Sequence, residues 1–365
     1  MRRILGFPGA GAVPSPGWTR AAAVIEVRPL KASEHEEWNA FLRGNPGGVF
    51  VHSIAYRDLL VGELGCEAEY LVAREAGETR GVLPIMWAEE SEGRICNSLP
   101  YYGSHGGPVT SDPRVDRALI DAWNERVSDP GTLASTMVEN PFLEHDFPQP
   151  VHEMTDERIS QFTVLAGSGG EDEVMALISA EARNNVRRAA RQGVSVELDN
   201  DAMAEVWRIH QENMEALGAP AKSRRFFEAI PTHLRPGEGF DIWTARVGGE
   251  VAAALLVVRF NGVSEYFTSG TRIEYRRHNP HAALLFAALV HETRNGARIW
   301  NWGGTHHGMD GVFHFKRKWG SREGRYRYFV HLNDRSLLEA TPQELLERFP
   351  NFYILPFSAL RPSFA

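Results

Sequence analysis

The stretch Phe313-His314-Phe315-Lys316-Arg317-Lys318-Trp319 sets three cations among aromatic residues. A solvated charge run is one reading of it. The flanking Phe313, Phe315 and Trp319 favour a partly buried run instead, and a clamped lysine is a compact point charge that can face a developing oxyanion. A second group of cations, Arg183, Arg187 and Arg191, is spaced four apart with Arg188 alongside, so that helical geometry lines three guanidinium groups on one face. Such a face meets phosphates or pairs with nearby acids, here Glu171, Asp172, Glu173 and Glu181. His306, His307, Asp310 and His105 could be offered to a metal, but adjacent histidines point in different directions, and neither an H-E-x-x-H motif nor a paired C-x-x-C is present. No metal is expected. Cys66 and Cys96 carry no local signature of a nucleophile, and reduced buried thiols fit them better than a single bridge between the two.

These groups need elements to hold them, and one template is written twice. Ala73-Arg74-Glu75-Ala76-Gly77-Glu78 and Ala245-Arg246-Val247-Gly248-Gly249-Glu250 both read A-R-x-x-G-E, each between two β-type runs, which is a hairpin signal. A helical segment lies upstream of each copy, at 33–42 and at 201–217, so one α/β unit is used twice. The first unit opens with a strand at 24–28 and a capping box at Ser33 and Glu36. A short helix at 54–64 and the Gly-rich loop 99–108, with Tyr101 and Tyr102, follow. A helix at 114–127 and strands at 133–139 and 159–165 complete it. The second unit begins with one helix from about Glu171 through Arg191, stopped by Gly193. A strand at 194–198, helices at 201–217 and 223–230, the second hairpin, a strand at 264–268 and an apolar helix at 280–292 come next. Strands at 299–302, ending at Gly303-Gly304, and at 326–331 close the unit, and a helix at 342–348 lies in the tail. The order is α+β.

Length favours two domains: 1–22 as a mobile tail, 23–168, 169–334, and a C-terminal helix and tail at 335–365. A net charge of −8 excludes a globally basic nucleic-acid binder, so a polyanion would have to meet a local patch. No apolar run approaches a membrane span, Gly and Pro interrupt any export signal at the start, and a cytoplasmic location is expected.

Four places resemble the Fem-type (FemA/FemB/FemX) aminoacyltransferases, which are built of two tandem GNAT-like domains with mixed sheets flanked by helices. They are the basic helix Asn185-Val186-Arg187-Arg188-Ala189-Ala190-Arg191-Gln192-Gly193-Val194, the loop around Tyr102-Gly103, Ser223-Arg224-Arg225-Phe226-Phe227, and Gly296 to Gly304 with Gly311 to Gly320. The coiled-coil arm of some members has no counterpart here. The resemblance implies transfer of an aminoacyl group from aminoacyl-tRNA, the co-substrate, to an amine acceptor such as a peptidoglycan-precursor peptide or a natural-product intermediate. No resident cofactor is implied. It also implies Lys316 as the electrostatic catalyst, with Phe315 shaping the pocket. Arg224 or Arg225, Tyr266, Tyr102, Arg57 and Trp302 would bind substrate, and Arg187, Arg188, Arg191 and Lys318 would bind tRNA. The family's phosphate-binding lysine of the first unit is missing; its neighbourhood offers Arg57 and His52 instead. The rival is an acyl-CoA-dependent N-acyltransferase acting on a small amine or a cell-envelope sugar. Such enzymes hold a pyrophosphate on helix-start amides through R-x-x-G-x-G/A, but here Arg277-His278-Asn279-Pro280-His281-Ala282 puts proline at the first glycine and deletes one N–H. A degenerate copy acting only as a binding module is a third class.

Overall fold

The computed structural model describes residues 24–360 apart from 101, 144, 146, 147, 167 and 168, so the expected tail at 1–22 lies outside the described residues. In chain order the first half runs β1 (Ile25–Pro29), α1 (His35–Arg43), α2 (Ile54–Leu64), β2 (Glu67–Ala68), β3 (Leu71–Glu75), β4 (Glu78–Leu83), β5 (Met86–Glu90), β6 (Gly93–Asn97), α3 (Pro113–Val127) and β7 (Thr132–Val138). The second runs β8 (Met154–Val164), α4 (Gly170–Leu177), α5 (Ala180–Arg191), β9 (Ser195–Leu198), α6 (Met203–Leu217), α7 (Arg224–His233), β10 (Phe240–Val247), β11 (Glu250–Phe260), β12 (Val263–Thr271), α8 (Pro280–Arg294), β13 (Ile299–His306), α9 (Asp310–Lys318), β14 (Arg322–Leu332) and α10 (Pro342–Arg348). The chain divides into two units. One holds the described parts of Met1–Arg57, Leu64–Arg158 and Gly324–Ala365; the other holds Asp58–Glu63 and Ile159–Glu323.

The repeated template has a physical basis. Both copies close a two-residue turn whose central residues have positive φ: Ala76 (53°) and Gly77 (85°), then Gly248 (60°) and Gly249 (91°). That geometry matches the twist of the flanking strands and favours glycine. In both copies the pairing register slips between the Ala and the Arg, at Ala73/Arg74 and Ala245/Arg246. The arginine then folds over the turn: Arg74 Nε donates to Gly77 O at 3.1 Å, and Arg246 Nη1 to Gly249 O at 3.2 Å. A-R-x-x-G-E thus encodes a bulge, a guanidinium clasp and a tight turn.

In the first unit β1-β3-β4 form a three-stranded sheet, and the remaining strands run in the order β2-β5-β6-β7-β14. The helix α3 carries the chain from β6 to a parallel β7 and buries Val115, Leu119, Ile120, Trp123 and Val127 along one stripe. In the second unit the order is β8-β13-β12-β11-β10-β9. There β9 to β12 are antiparallel, and α8 crosses over to a parallel β13. Leu284, Leu285, Ala288 and Leu289 of α8 pack with Leu255, Val257, Trp300 and Trp302 in this unit's core.

Two expectations are corrected, and one helix was not expected. The helix expected from Glu171 to Arg191 is two helices. Ile178 and Ser179 are extended, and the Ser179 hydroxyl caps α5 by accepting from the Ala182 N–H. The strand expected to end at Gly303-Gly304 continues to His306, because Gly303 adopts φ +69° and turns the strand without ending it. The Lys316 stretch is the helix α9, whose last turn carries Lys316, Arg317 and Lys318, the charge sign that suits a helix C-terminus.

Candidate active site

The parallel strands β12 and β13 stay paired for only three positions, Val263↔Ile299, Ser264↔Trp300 and Glu265↔Asn301, and then part. Beyond that fork the sheet no longer satisfies the facing backbone groups, and side chains enter. Lys316 reaches in from α9, 5% exposed, and its Nζ donates to Gly304 O at 3.0 Å and Thr305 Oγ1 at 2.8 Å. Thr305 in turn donates to Gln161 Oε1 at 2.8 Å, and the Gln161 amide donates to Phe313 O and Ser321 Oγ. The lysine is therefore fixed by neutral oxygens, and burial alone pushes its pKa down to about 8. Among the described residues no carboxylate pairs with this ammonium, and a desolvated, unneutralised cation can meet an incoming negative charge.

Phe315, one residue away, stacks on His281 at 5.6 Å and meets the edge of Trp302 at 6.0 Å. Trp302 is anchored by its Nε1 to Thr163 Oγ1 at 2.9 Å and lies 5.1 Å from the Tyr266 ring. Ser269 Oγ donates to the tyrosine oxygen, and the Tyr266 hydroxyl meets His281 Nε2 at 3.1 Å. Burial pushes Tyr266 up to about 12 and His281 down to about 4, so both are neutral at pH 7. Against this cluster opens a cavity of about 570 Å³ whose walls include Phe315, Trp319, Pro280 and His281, with Arg276 and Lys318 as its cations. Its size suits a small-molecule or nucleotide-sized group.

At the start of α8 Pro280 stands at the first position, and Asn279 (φ 57°) provides no side-chain cap. The Ala282 and Ala283 amides both turn back to Asn279 O, at 3.1 and 3.4 Å. Pro280 has no N–H and Ala282 has spent its own, so of the first three positions only His281 is left to meet an anion.

The structure brings Lys316, Phe315, Tyr266 and Trp302 together and places Lys318 on the cavity wall, where it also pairs with Glu181 at 2.6 Å. Arg224 and Arg225 lie elsewhere, on α7. Arg224 pairs with Glu228 at 2.7 Å and stacks over Trp207, and Arg225 meets Glu63 at 3.3 Å. Arg57 and Tyr102 belong to the first unit; Arg57 lies 5.8 Å over the Tyr70 ring, and Tyr102 is half-buried. His52 is wholly buried, hydrogen-bonded to Gly106 O, and pushed down to about 4 by burial, which makes it a structural residue.

On α5, Arg187, Arg188 and Arg191 are exposed. Arg183 leaves that face and donates to Met175 O and Ile178 O at the end of α4. Glu173 is engaged by the Gly169 N–H at 2.9 Å, away from the arginines.

Two groups were not anticipated. Asp241, His291 and Glu292 converge within 4.8 Å, but Arg259 donates to both carboxylates and is itself the cation of that cluster. The other is Glu265 at the fork, 4% exposed, whose Oε2 accepts from Asn301 Nδ2 at 2.8 Å. The sequence did carry a signal for it: a charged residue inside the strand run Ser264-Glu265-Tyr266, facing opposite to Tyr266.

The profile of the family described as "Acetyltransferase (GNAT) domain" matches residues 179–317, which holds the fork, the cavity and Lys316. No curated protein matches the sequence. The fold is GNAT-like, and the stretch that matches the acetyltransferase profile lies within the second unit. Among solved structures the chain is similar to FemX, with a TM-score of 0.62 at 15% identity over 89% of this chain and 99% of that one. It is also similar to a conserved protein of unknown function from Bacteroides thetaiotaomicron (0.55, 13%, 85% of this chain and 100% of that one). A third similar structure is the C-terminal domain of a putative lysylphosphatidylglycerol synthetase from Agrobacterium fabrum (0.52, 13%, 84% and 97%). At these identities the likeness speaks for the fold. Among the described residues no helix is long and apolar enough to cross a membrane.

Proposed function

We propose that this chain transfers an aminoacyl group from aminoacyl-tRNA to an amine. The observation that carries this reading is Lys316: a buried ammonium held, among the described residues, by neutral oxygens, and next in sequence to Phe315, which lines a cavity large enough for the end of an acyl donor. An aminoacyl ester is already activated, so the protein has to orient ester and amine and stabilise the oxyanion formed when the amine adds to the carbonyl. Lys316 supplies that charge. Phe315, with Trp302 behind it, offers an aromatic face to the aminoacyl end or its terminal base. Tyr266, bound to His281 and Ser269, orients the donor as a neutral hydrogen-bonding group. The arginines of α5 and Lys318 meet the tRNA phosphates. The acceptor departs from a nucleotide-linked peptidoglycan precursor, because the first unit has no lysine at the phosphate position and His52 is locked inside it.

A second reading, transfer from an acyl-CoA, draws support from the match of residues 179–317 to the acetyltransferase family and from Arg276 and Lys318 at the cavity. The depleted amides at the start of α8 weigh against it. The deciding experiment offers the purified protein a panel of charged tRNAs and a panel of acyl-CoAs, with a mixture of amines and a mass-spectrometric readout. Aminoacyl transfer from tRNA is expected. Acylation from acyl-CoA alone would overturn the donor assignment.

A further inference from the structure

A lysine ammonium has three N–H bonds, and what a buried one can offer a substrate is whatever its own neighbours leave over. Lys316 gives one N–H to Gly304 O at 3.0 Å and one to Thr305 Oγ1 at 2.8 Å, so one remains among the described residues. In the neutral amine the same two donors are used, and a lone pair, which repels an oxyanion, takes the place of the third. The direction of the Thr305 hydroxyl therefore bears on the charge of Lys316. A hydroxyl has a single proton, and turning it toward Nζ would favour the neutral amine.

Gln161, wholly buried on β8, prevents this. Phe313 O is a backbone carbonyl and can only accept. The Gln161 NH₂ group therefore faces it, at 3.2 Å, with its other N–H on Ser321 Oγ at 3.1 Å. That leaves the amide oxygen to face Thr305 Oγ1 at 2.8 Å, and this oxygen too can only accept. The Thr305 proton is thus committed to Gln161, and its lone pairs are left for Nζ. Thr163 lies two residues along β8 and so on the same face. Its hydroxyl donates to Trp319 O at 3.1 Å and accepts from Trp302 Nε1 at 2.9 Å. The two side chains grip α9 at Phe313 and just past its end. Both precede residue 179, where the match to the acetyltransferase family begins. Apolar residues ordinarily fill such buried strand positions, and a fully engaged polar chain in their place fixes directions that apolar packing leaves open.

We infer that Gln161 is a positioning residue for Lys316: by accepting from Thr305 it turns that hydroxyl's lone pairs toward Nζ and keeps the third ammonium N–H for the substrate oxygen. This deepens the acyl-transfer reading above and rests on it for the identity of that oxygen. Gln161 touches no substrate; it acts through Thr305. Without it, the Thr305 proton has no partner and turns to the lysine nitrogen. The neutral amine is then favoured at a pH where wild type is still charged.

The first test is a cycle of Gln161→Met, Thr305→Val and the double variant, on whichever donor class the wild-type protein turns over. Gln161→Met should lower kcat by about 10-fold with KM within about twofold, and the double variant should be no slower than Thr305→Val alone. Losses that multiply, or a raised KM with kcat unchanged, overturn the proposal. The second test needs no donor. The chain has four lysines, Lys31, Lys222, Lys316 and Lys318, so lysine labelled with ¹³C at Cε gives a short NMR spectrum in which Lys316→Arg identifies the signal. Its midpoint should lie near 8 in wild type and fall by about one pH unit in Gln161→Met. An unchanged or higher midpoint overturns the proposal. Gln161→Glu still offers Thr305 an acceptor, so its midpoint should equal or exceed that of wild type. This variant carries the comparison should the Met variant not fold, and a midpoint below wild type in it overturns the proposal. Wild type that turns over no donor would sink the acyl-transfer reading, while the lysine midpoints still decide on Gln161.

Discussion

At the scale of single residues, Lys316 is a buried ammonium whose hydrogen-bond partners are the neutral oxygens of Gly304 and Thr305. Lys316→Ala should lower kcat by about 10² to 10³ with KM nearly unchanged, because the charge is needed only once the oxyanion forms. A kcat within about threefold of wild type in a steady-state assay would remove the lysine from the mechanism. The active form is protonated, so the rate should fall as pH rises through about 8, and that limb should be absent in Lys316→Ala. Glu265 also makes a prediction about stability. Its folded-state pKa, about 7, lies above the ordinary 4.5, so the folded chain holds a proton that the unfolded chain has released, and stability declines as pH rises through that window. Glu265→Gln cannot ionise; it should be more stable than wild type at pH 8, by an amount of order 2–3 kcal/mol at most, and little different at pH 4. Denaturant midpoints at the two pH values test this. Lys316 could be picked out in the sequence because its aromatic neighbours argue burial. Glu265 was legible only as a charged residue inside the strand run Ser264-Glu265-Tyr266; where the pairing with β13 ends is set by residues far away in sequence, and nothing local encodes it.

At the scale of elements, the two hairpins were the most legible features, because positive-φ turns demand particular residues. Ala76 is the exception that tests the account. It sits at φ 53° where the second copy has Gly248, so Ala76→Gly should stabilise the chain by about 1 kcal/mol, seen as a higher denaturant midpoint with an unchanged slope. The helices around the arginines were less legible. Periodicity alone runs 171–191 together, and only the Ser179 cap, with its neighbour Ile178 extended, breaks it. Helix α9 was hidden for another reason. Gly308, Gly311 and Gly320 around it speak for loop, whereas its cationic last turn favours helix. The cations of α5 divide by exposure. Replacing Arg187, Arg188 and Arg191 together with glutamine should weaken tRNA binding and reduce the salt dependence of log K by about two to three units of slope, measured by filter binding across a salt series. An unchanged slope would assign the face to solvent.

At the scale of the whole molecule, the duplicated hairpin foretold two units of one kind; the chain divides into two units, and its fold is GNAT-like. The acceptor class was not legible, since it depends on which cations of the first unit face a ligand. The path of the chain was also hidden. After the second unit it returns at Gly324, and β14 pairs antiparallel with β7, Tyr328↔Val138 through Leu332↔Ala134, burying Phe329 and Val330 in the first unit. The sheet of the first unit is thus completed only after the second unit has been synthesised. Until the final strand emerges, β7 has a bare hydrogen-bonding edge, open to other nascent chains. A stop codon after residue 323 should yield aggregated protein despite an intact Lys316 and Glu265, and supplying 324–365 as a separate peptide during refolding should recover soluble material. Residues 324–332 therefore act as a late-arriving clasp on a sheet whose other strands were made long before.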